Sequence, residues 1–252
     1  MERFHFSALD SALHRLWHGL KQWGATLFPG RCLLCGENSL DSLICRDCSA
    51  DLPRTQGVRC PCCALPIAET AQGAVRCPNC ERSPPRYDEV FAAFDYFFPV
   101  DRLIQGLKYG HQLPLAAWFA QQLAAMPRPS GARIMLPMPL HRTRIRQRGF
   151  NQAQEIARHL AQQWEMPLDG QSLIRQRDTP SQVNLSRQAR LSNLRGAFEC
   201  TRDFSGQHLI LVDDVVTSGS SVNACADVLK YHGATRVSVV TVARAQWTPA
   251  QH

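Results

Sequence analysis

No apolar run in this 252-residue chain reaches the roughly 18 residues that would cross a membrane. The first residues do not read as a signal peptide, because Glu2, His5 and Asp10 interrupt any apolar core. These absences predict a cytoplasmic protein with no transmembrane segment. There is no P-loop, no Ser-His-Asp pattern and no metal set with an open position, which removes the commonest hydrolytic chemistries. Acids are missing from one long interval. Between Arg102 and Gln154 there is no Asp or Glu, against one Lys and seven Arg. In a chain of net charge +7 and pI near 9.0, that gap suits an anion such as phosphate or nucleic acid, beside the plainer reading of a solvated basic face. Hydrophobic residues make up 44% of the chain, enough for a real core in one domain with a small appendage.

What the chain has in excess is cysteine, eleven in all. Without an export signal, their spacing favours metal over disulfides. Cys32 and Cys35 form one CxxC knuckle and Cys45 and Cys48 the next; Cys60 with Cys63 and Cys77 with Cys80 repeat the arrangement. Two knuckles complete a four-thiolate tetrahedron with no position left for water, so one or two structural zinc ions are expected. Spacing leaves sequential and interleaved pairing both open. Cys62 is an extra thiol with no assigned role, and Cys200 and Cys225 read as small core residues.

Three stretches follow from these patterns. Residues 1–28 carry Leu9, Leu13, Leu16, Trp17, Leu20, Trp23 and Leu27 at helical spacing. Residues 29–82 hold nine of the cysteines and little core periodicity, so a metal must do what burial cannot. From residue 83 to 252, after a linker-like Ser83–Val90, strand patterns alternate with helical ones. VFAAFDYFF, RIMLPMP, HLILVDDV and RVSVVTVAR read as strands; RLIQGLKY, PLAAWFAQQLAAM, FNQAQEIARHLAQQW and SVNACADVLKYH read as helices. Residues 171–196 read as a basic loop. This alternation predicts an α/β domain with a mostly parallel sheet.

The most informative stretch is HLILVDDVVTSGSSV, His208 to Val222. Ligands of parallel sheets lie at the C-terminal ends of strands, where Asp213 and Asp214 fall. The turn of Thr217, Ser218, Gly219, Ser220 and Ser221 then opens a helix whose first N–H groups and dipole favour phosphate. Gly219 permits close backbone approach and the hydroxyls add donors. Two acids beside a phosphate cradle conflict unless the acids serve another part of the ligand. A vicinal diol donates hydrogen bonds to carboxylates, and a molecule with a diol beside a phosphate is a ribose 5-phosphate.

ILVDDVVTSGSS resembles the phosphoribosyl pyrophosphate (PRPP) motif of type I phosphoribosyltransferases. Leu136 to Arg158, with its Arg-Gly-Phe-Asn-Gln core at 148–152, resembles the signature of the ComF branch, as do TPSQVNLSRQARLSNLRGAF and the cysteine knuckles. The resemblance implies a type I phosphoribosyltransferase domain over 83–252 and a link to DNA uptake or DNA utilisation, with the uptake machinery as a partner. It implies that Asp213 and Asp214 hold the ribose diol in a catalytic role. Residues Val215, Val216, Thr217, Ser218, Gly219, Ser220 and Ser221 complete the PRPP site, with Mg2+ accompanying PRPP. Pro137 to Arg142 would receive pyrophosphate.

Lys108 and the series Arg142, Arg144, Arg146 and Arg148 offer cations for pyrophosphate or for a nucleic-acid backbone. In an extended segment the four arginines would share one side. Arg175, Arg177, Gln182, Arg187, Arg190 and Arg195 fall where a mobile hood is expected. Two functions compete. One is a phosphoribosyltransferase whose acceptor the sequence does not name. The other is a non-catalytic protein that binds single-stranded DNA, with PRPP as regulator or relic.

Overall fold

Apolar stretches at 89–95, 134–137, 208–216 and 236–244 build a four-stranded, wholly parallel sheet. The computed structural model describes residues 30–40, 42–67, 76–178 and 196–246. The helix expected over 1–28, and Gln182, Arg187, Arg190 and Arg195 of the expected hood, lie outside the described residues. The chain divides into two compact units, Met1–Leu52 and Pro53–His252.

In the first unit β1 (Gly30–Arg31) pairs antiparallel with β2 (Asn38–Leu40), and α1 (Arg46–Ala50) follows. The second unit contains α2 (Pro78–Arg82), β3 (Glu89–Asp95), α3 (Val100–Tyr109), α4 (Pro114–Ala124) and β4 (Ile134–Pro137). It continues through α5 (Arg142–Arg148), α6 (Gln152–Gln163), β5 (Leu173–Arg175), β6 (Phe198–Cys200), β7 (His208–Val216), α7 (Ser220–Tyr231) and β8 (Arg236–Arg244). The sheet order is β3-β8-β7-β4, with Met135 opposite Ile210 and Ile210 opposite Ser238. Leu168 adds one parallel bridge beyond Met135. β8 is buried from Val237 to Arg244, as expected of a strand covered on both faces. Helices α4 and α6 pack together on one face. On the other, Leu209, Leu211, Val237 and Val239 share a core with Val222, Cys225, Ala226 and Leu229 of α7.

That second core also contains Cys60, Cys62, Cys63, Cys77 and Cys80. The segment entering this ribbon runs antiparallel along β3: Thr55 N donates to Ala93 O at 3.1 Å and Asp95 N to Pro53 O at 2.7 Å. Arg59 grips both oxygens of Asp95, at 2.8 and 2.7 Å. The second cysteine set therefore lies in the unit that begins at Pro53.

Three local expectations are corrected. The arginine series is helix α5, not extended. His141 caps it by accepting from Thr143 N at 3.3 Å, and Gly149, in the left-handed region at φ 87°, ends it. The loop expected over 171–196 includes β5, paired antiparallel with β6. Ser83–Val90 is no loose linker: Tyr87 is buried, and Asp88 accepts from Val237 N at 2.8 Å and pairs with Lys230 at 2.9 Å.

Candidate phosphoribosyl site

The crevice opens where β4 ends. Pro137 lies opposite Val212, and Met138 N donates to Val212 O at 2.7 Å. β7 runs on to Val216 beside β8, so Asp213 and Asp214 occupy the stretch that β4 no longer covers. The pleat turns successive side chains to opposite faces. Asp214 faces α3 and α6, where it forms an ion pair with Lys108 and accepts from Gln152 Nε2 at 3.4 Å. Asp213 accepts from the Asp214 backbone N–H at 2.9 Å.

The two neighbouring acids sit in unlike electrostatic surroundings. Burial, together with the neighbouring Asp214 charge, pushes Asp213 well above the usual carboxylate range. Burial works against Asp214 as well, but the Lys108 ammonium outweighs it and holds Asp214 below its ordinary value. Lys108 shows the mirror image: burial disfavours its charge, and Asp214 more than restores it. The Lys108 ion pair therefore favours the ionised form of Asp214, and of the two acids Asp213 is the more readily protonated.

The Arg-Gly-Phe-Asn-Gln core explains how α6 reaches this point. Gly149 turns the chain out of α5. Asn151 caps α6 by accepting from Ala153 N at 3.1 Å, and its amide donates to Met138 O at 3.0 Å. Gln152, 7% exposed, then stands between the Arg148 guanidinium and Asp214. Because α5 is helical, its arginines split by turn. Arg144 and Arg148 are half-buried and line a cleft with Lys108, Tyr109, His111 and Gln147. Arg142 and Arg146 are exposed. Arg148 also lies over the Tyr109 ring, 5.1 Å from its centre. Arg175 stacks on Phe198 at 5.5 Å, and Arg177 follows it at the edge of the described segment. His208 is structural, bonded to Ser238 Oγ at 2.7 Å.

Past β7, Thr217 is exposed, Ser218 and Ser221 are half-buried, and Ser220 begins α7. Gly219, the N-cap residue, holds φ at 77° and has no side chain to cap the helix; Ser218 Oγ accepts from Ser220 N at 3.4 Å, and the remaining first-turn N–H groups and the dipole favour an anion at the turn. Ser218 and Ser220 hydroxyls meet at 3.0 Å. A Cβ on Gly219 would stand 3.1 Å from the Tyr87 hydroxyl, a second reason for glycine there. Val215 is half-buried and Val216 buried.

The cysteines resolve into sequential sets, Cys32, Cys35, Cys45, Cys48 and Cys60, Cys63, Cys77, Cys80, with the sulfurs of each set within 4.8 Å of one another. A zinc tetrahedron with bonds of about 2.3 Å has sulfur–sulfur edges of about 3.8 Å. Cys35 and Cys45 stand at 3.8 Å and Cys63 and Cys77 at 3.6 Å. Burial opposes ionisation of Cys32, yet backbone N–H groups of Cys35, Cys45 and Leu34 bring its thiol down to about 6. Cys60 is brought to about 7 in the same way by N–H groups of Cys77, Cys63 and Cys62. Both sets thus fit a closed, structural zinc.

Comparison with known proteins agrees with both halves. A double zinc ribbon domain matches residues 24–84, and a phosphoribosyl transferase domain matches residues 145–250. DNA utilization protein YhgH of Salmonella typhimurium is 32% identical over 225 residues, spanning 86% of this chain and 97% of that protein. The chain belongs to the ComF family. Competence protein F of Haemophilus influenzae is 28% identical over 86% of this chain and 98% of its own length. Among solved structures, the B. subtilis glutamine PRPP amidotransferase complexed with ADP and GMP covers 50% of this chain and 25% of its own, at 20% identity and TM-score 0.36. Sequence reasoning gave no role to four residues in and around this candidate site. Asn151 and Gln152 were visible as part of the Arg-Gly-Phe-Asn-Gln core. Tyr87 and Arg244 carried no signal beyond residue type.

Proposed function

We propose that the crevice binds PRPP, or another ribose 5-phosphate compound, together with Mg2+, and that the protein serves DNA uptake or DNA utilisation in the cytoplasm. The observation that carries this reading is the adjacency of an acid pair and a glycine-hinged helix start on one strand end. The turn Thr217–Ser221 would hold the 5-phosphate through backbone N–H groups and hydroxyls. Asp213 and Asp214, with flanking Val215 and Val216, would receive the ribose diol. Lys108, Arg144 and Arg148 would face pyrophosphate. Among the described residues, the only clusters of three or more ligating side chains are the two cysteine sets. Mg2+ would therefore arrive on the oxygens of PRPP rather than in a protein cage. When bound it would neutralise the pyrophosphate, while the ionised acid favours positive charge developing on the sugar ring. The relatives' names, DNA utilization protein and Competence protein F, supply the link to DNA.

A second reading has its own observation. Arg142 and Arg146 are exposed and do not line the cleft, and Tyr109, which does, leaves 69% of its surface exposed. Exposed arginines beside an aromatic ring that carries Arg148 on one face and is otherwise open to solvent suit a single-stranded nucleic acid. The two readings are separated by measuring pyrophosphate release from PRPP across a panel of bases and amines, with and without single-stranded DNA. Release that depends on one acceptor supports a transferase. PRPP binding without release under every condition leaves the binding protein.

A further inference from the structure

Arg244 ends β8 and is 3% exposed. A guanidinium this deep ordinarily pairs with a carboxylate. Its described hydrogen bonds all go to backbone carbonyls instead. Nε donates to Cys63 O at 2.7 Å, and Nη1 donates to Val216 O at 2.9 Å, to Thr217 O and to Ala245 O at 2.6 Å. One side chain therefore ties a knuckle of the second cysteine set to the first residues of the turn Thr217–Ser221. Four thiolates around a divalent ion would carry a net double negative charge, which would favour a cation bonded to the Cys63 carbonyl. A second contact follows the same route. Tyr87, whose hydroxyl lies against Gly219, shares one buried cluster with Cys60, Cys63, Cys77, Cys80, Val216 and Val222.

We infer that Arg244 is a positioning residue which makes the second metal set part of the phosphate cradle: metal on Cys60, Cys63, Cys77 and Cys80 fixes the Cys63 carbonyl, and Arg244 passes that constraint to Val216 and Thr217. The inference rests on the reading of Thr217–Ser221 as the 5-phosphate site. Backbone N–H groups bind an oxyanion well only when they are held in place beforehand. Losing the Arg244 bonds would leave buried carbonyls unsatisfied and let the turn relax. Pyrophosphate, which the proposed site would hold through side chains of α3 and α5, provides an internal control.

The test compares the full chain with Arg244→Met, Arg244→Lys and Cys80→Ser. Affinity for ribose 5-phosphate and for pyrophosphate is measured by calorimetry. Hydrogen exchange is followed at Thr217–Val222, and zinc content by elemental analysis. Arg244→Met is expected to keep its zinc, weaken ribose 5-phosphate about tenfold or more, and leave pyrophosphate within about twofold. Arg244→Lys recovers part of the loss, because an ammonium still reaches one or two carbonyls. Cys80→Ser weakens ribose 5-phosphate and speeds exchange at the same amides. Parent-like affinity and exchange in Arg244→Met overturn the inference even if Cys80→Ser fails to fold. Equal losses for both ligands also overturn it, since they report general destabilisation. If the parent binds no ribose 5-phosphate, the proposed function fails. Exchange then still decides the coupling: faster exchange in Arg244→Met upholds it, and unchanged exchange ends it.

Discussion

The ammonium of Lys108, at the end of α3, meets the buried carboxylate of Asp214 on β7. Asp214 has 5% of its side chain exposed and Lys108 21%, so the pair is largely out of water. Breaking such a pair leaves one uncompensated charge and costs about 3–5 kcal/mol. Lys108→Met should therefore lower the denaturation midpoint clearly. Lys108→Met combined with Asp214→Asn should recover much of that loss, because no buried charge remains. A double-mutant cycle by urea titration checks both statements. Additive losses would mean that the two residues act independently.

Asp213 is expected to hold its proton at a cost that grows with pH. Its folded value is raised by burial and by Asp214, so its contribution is fully present below the ordinary carboxylate range. That contribution is lost as pH rises through the raised value. Asp213→Asn keeps the shape and removes the titration. The variant should be the more stable protein at pH 8, by about 1 kcal/mol. The advantage should shrink as pH falls toward 5. Thermal melts across that range test the sign. An advantage that grows on acidification would reverse the assignment of the proton.

Much of this architecture is legible in the residues themselves. Valine runs covered on both faces signal a parallel sheet, and CxxC spacing signals metal, because both patterns are local. The acid pair and glycine turn of 213–221 are contiguous, so their joint presence at a strand end is readable too. Failures occur where the contact is remote. Nothing near Arg244 in sequence announces Cys63, which is 181 positions away. Asp88 and Val237 are likewise joined over 149 positions, which turns a linker by composition into an anchored segment. The arginine series misled for another reason. Alternation every second residue suggests a strand, but Arg and Gln are good helix formers. The His141 cap and the Gly149 stop decide the matter.

Two zinc ions per chain are expected, one in each cysteine set. Cys45→Ser and Cys77→Ser should each reduce the elemental zinc content to about one per chain, because three thiolates hold zinc far less well than four. The Cys77→Ser loss should also lower the melting temperature of the phosphoribosyltransferase domain, since Cys77 lies in that domain's buried cluster. A parent preparation holding no zinc would dismiss both sites.

The split of α5 separates two kinds of arginine. Arg144→Ala with Arg148→Ala should weaken pyrophosphate, since both side chains line the cleft. Arg142→Ala with Arg146→Ala should leave pyrophosphate alone and flatten the salt dependence of single-stranded DNA binding. The expected change is about 0.7 units of log-log slope per lost phosphate contact. If the exposed pair keeps the parent slope, the DNA reading loses its support.

The sharpest prediction concerns Asp214 and the ribose. A hydrogen bond to a charged group contributes roughly 1.5–3 kcal/mol. If the carboxylate accepts from the diol, Asp214→Asn should weaken PRPP on the order of tenfold or more. Pyrophosphate has no diol and should not suffer. It should bind as well or better, because Lys108 lines the cleft proposed for pyrophosphate and would no longer be neutralised by its partner. Mg2+ should tighten PRPP in the parent by shielding the oxygens that face the acid pair. Thr217→Ala with Ser221→Ala should weaken ribose 5-phosphate while sparing pyrophosphate, as two donors leave the cradle. Calorimetry on the parent and these variants, with and without Mg2+, reads all of these effects in one series. The decisive quantity is the ratio of the PRPP and pyrophosphate losses in Asp214→Asn. A ratio near one would point to misfolding or general electrostatics, and the diol would have to be moved elsewhere in the crevice.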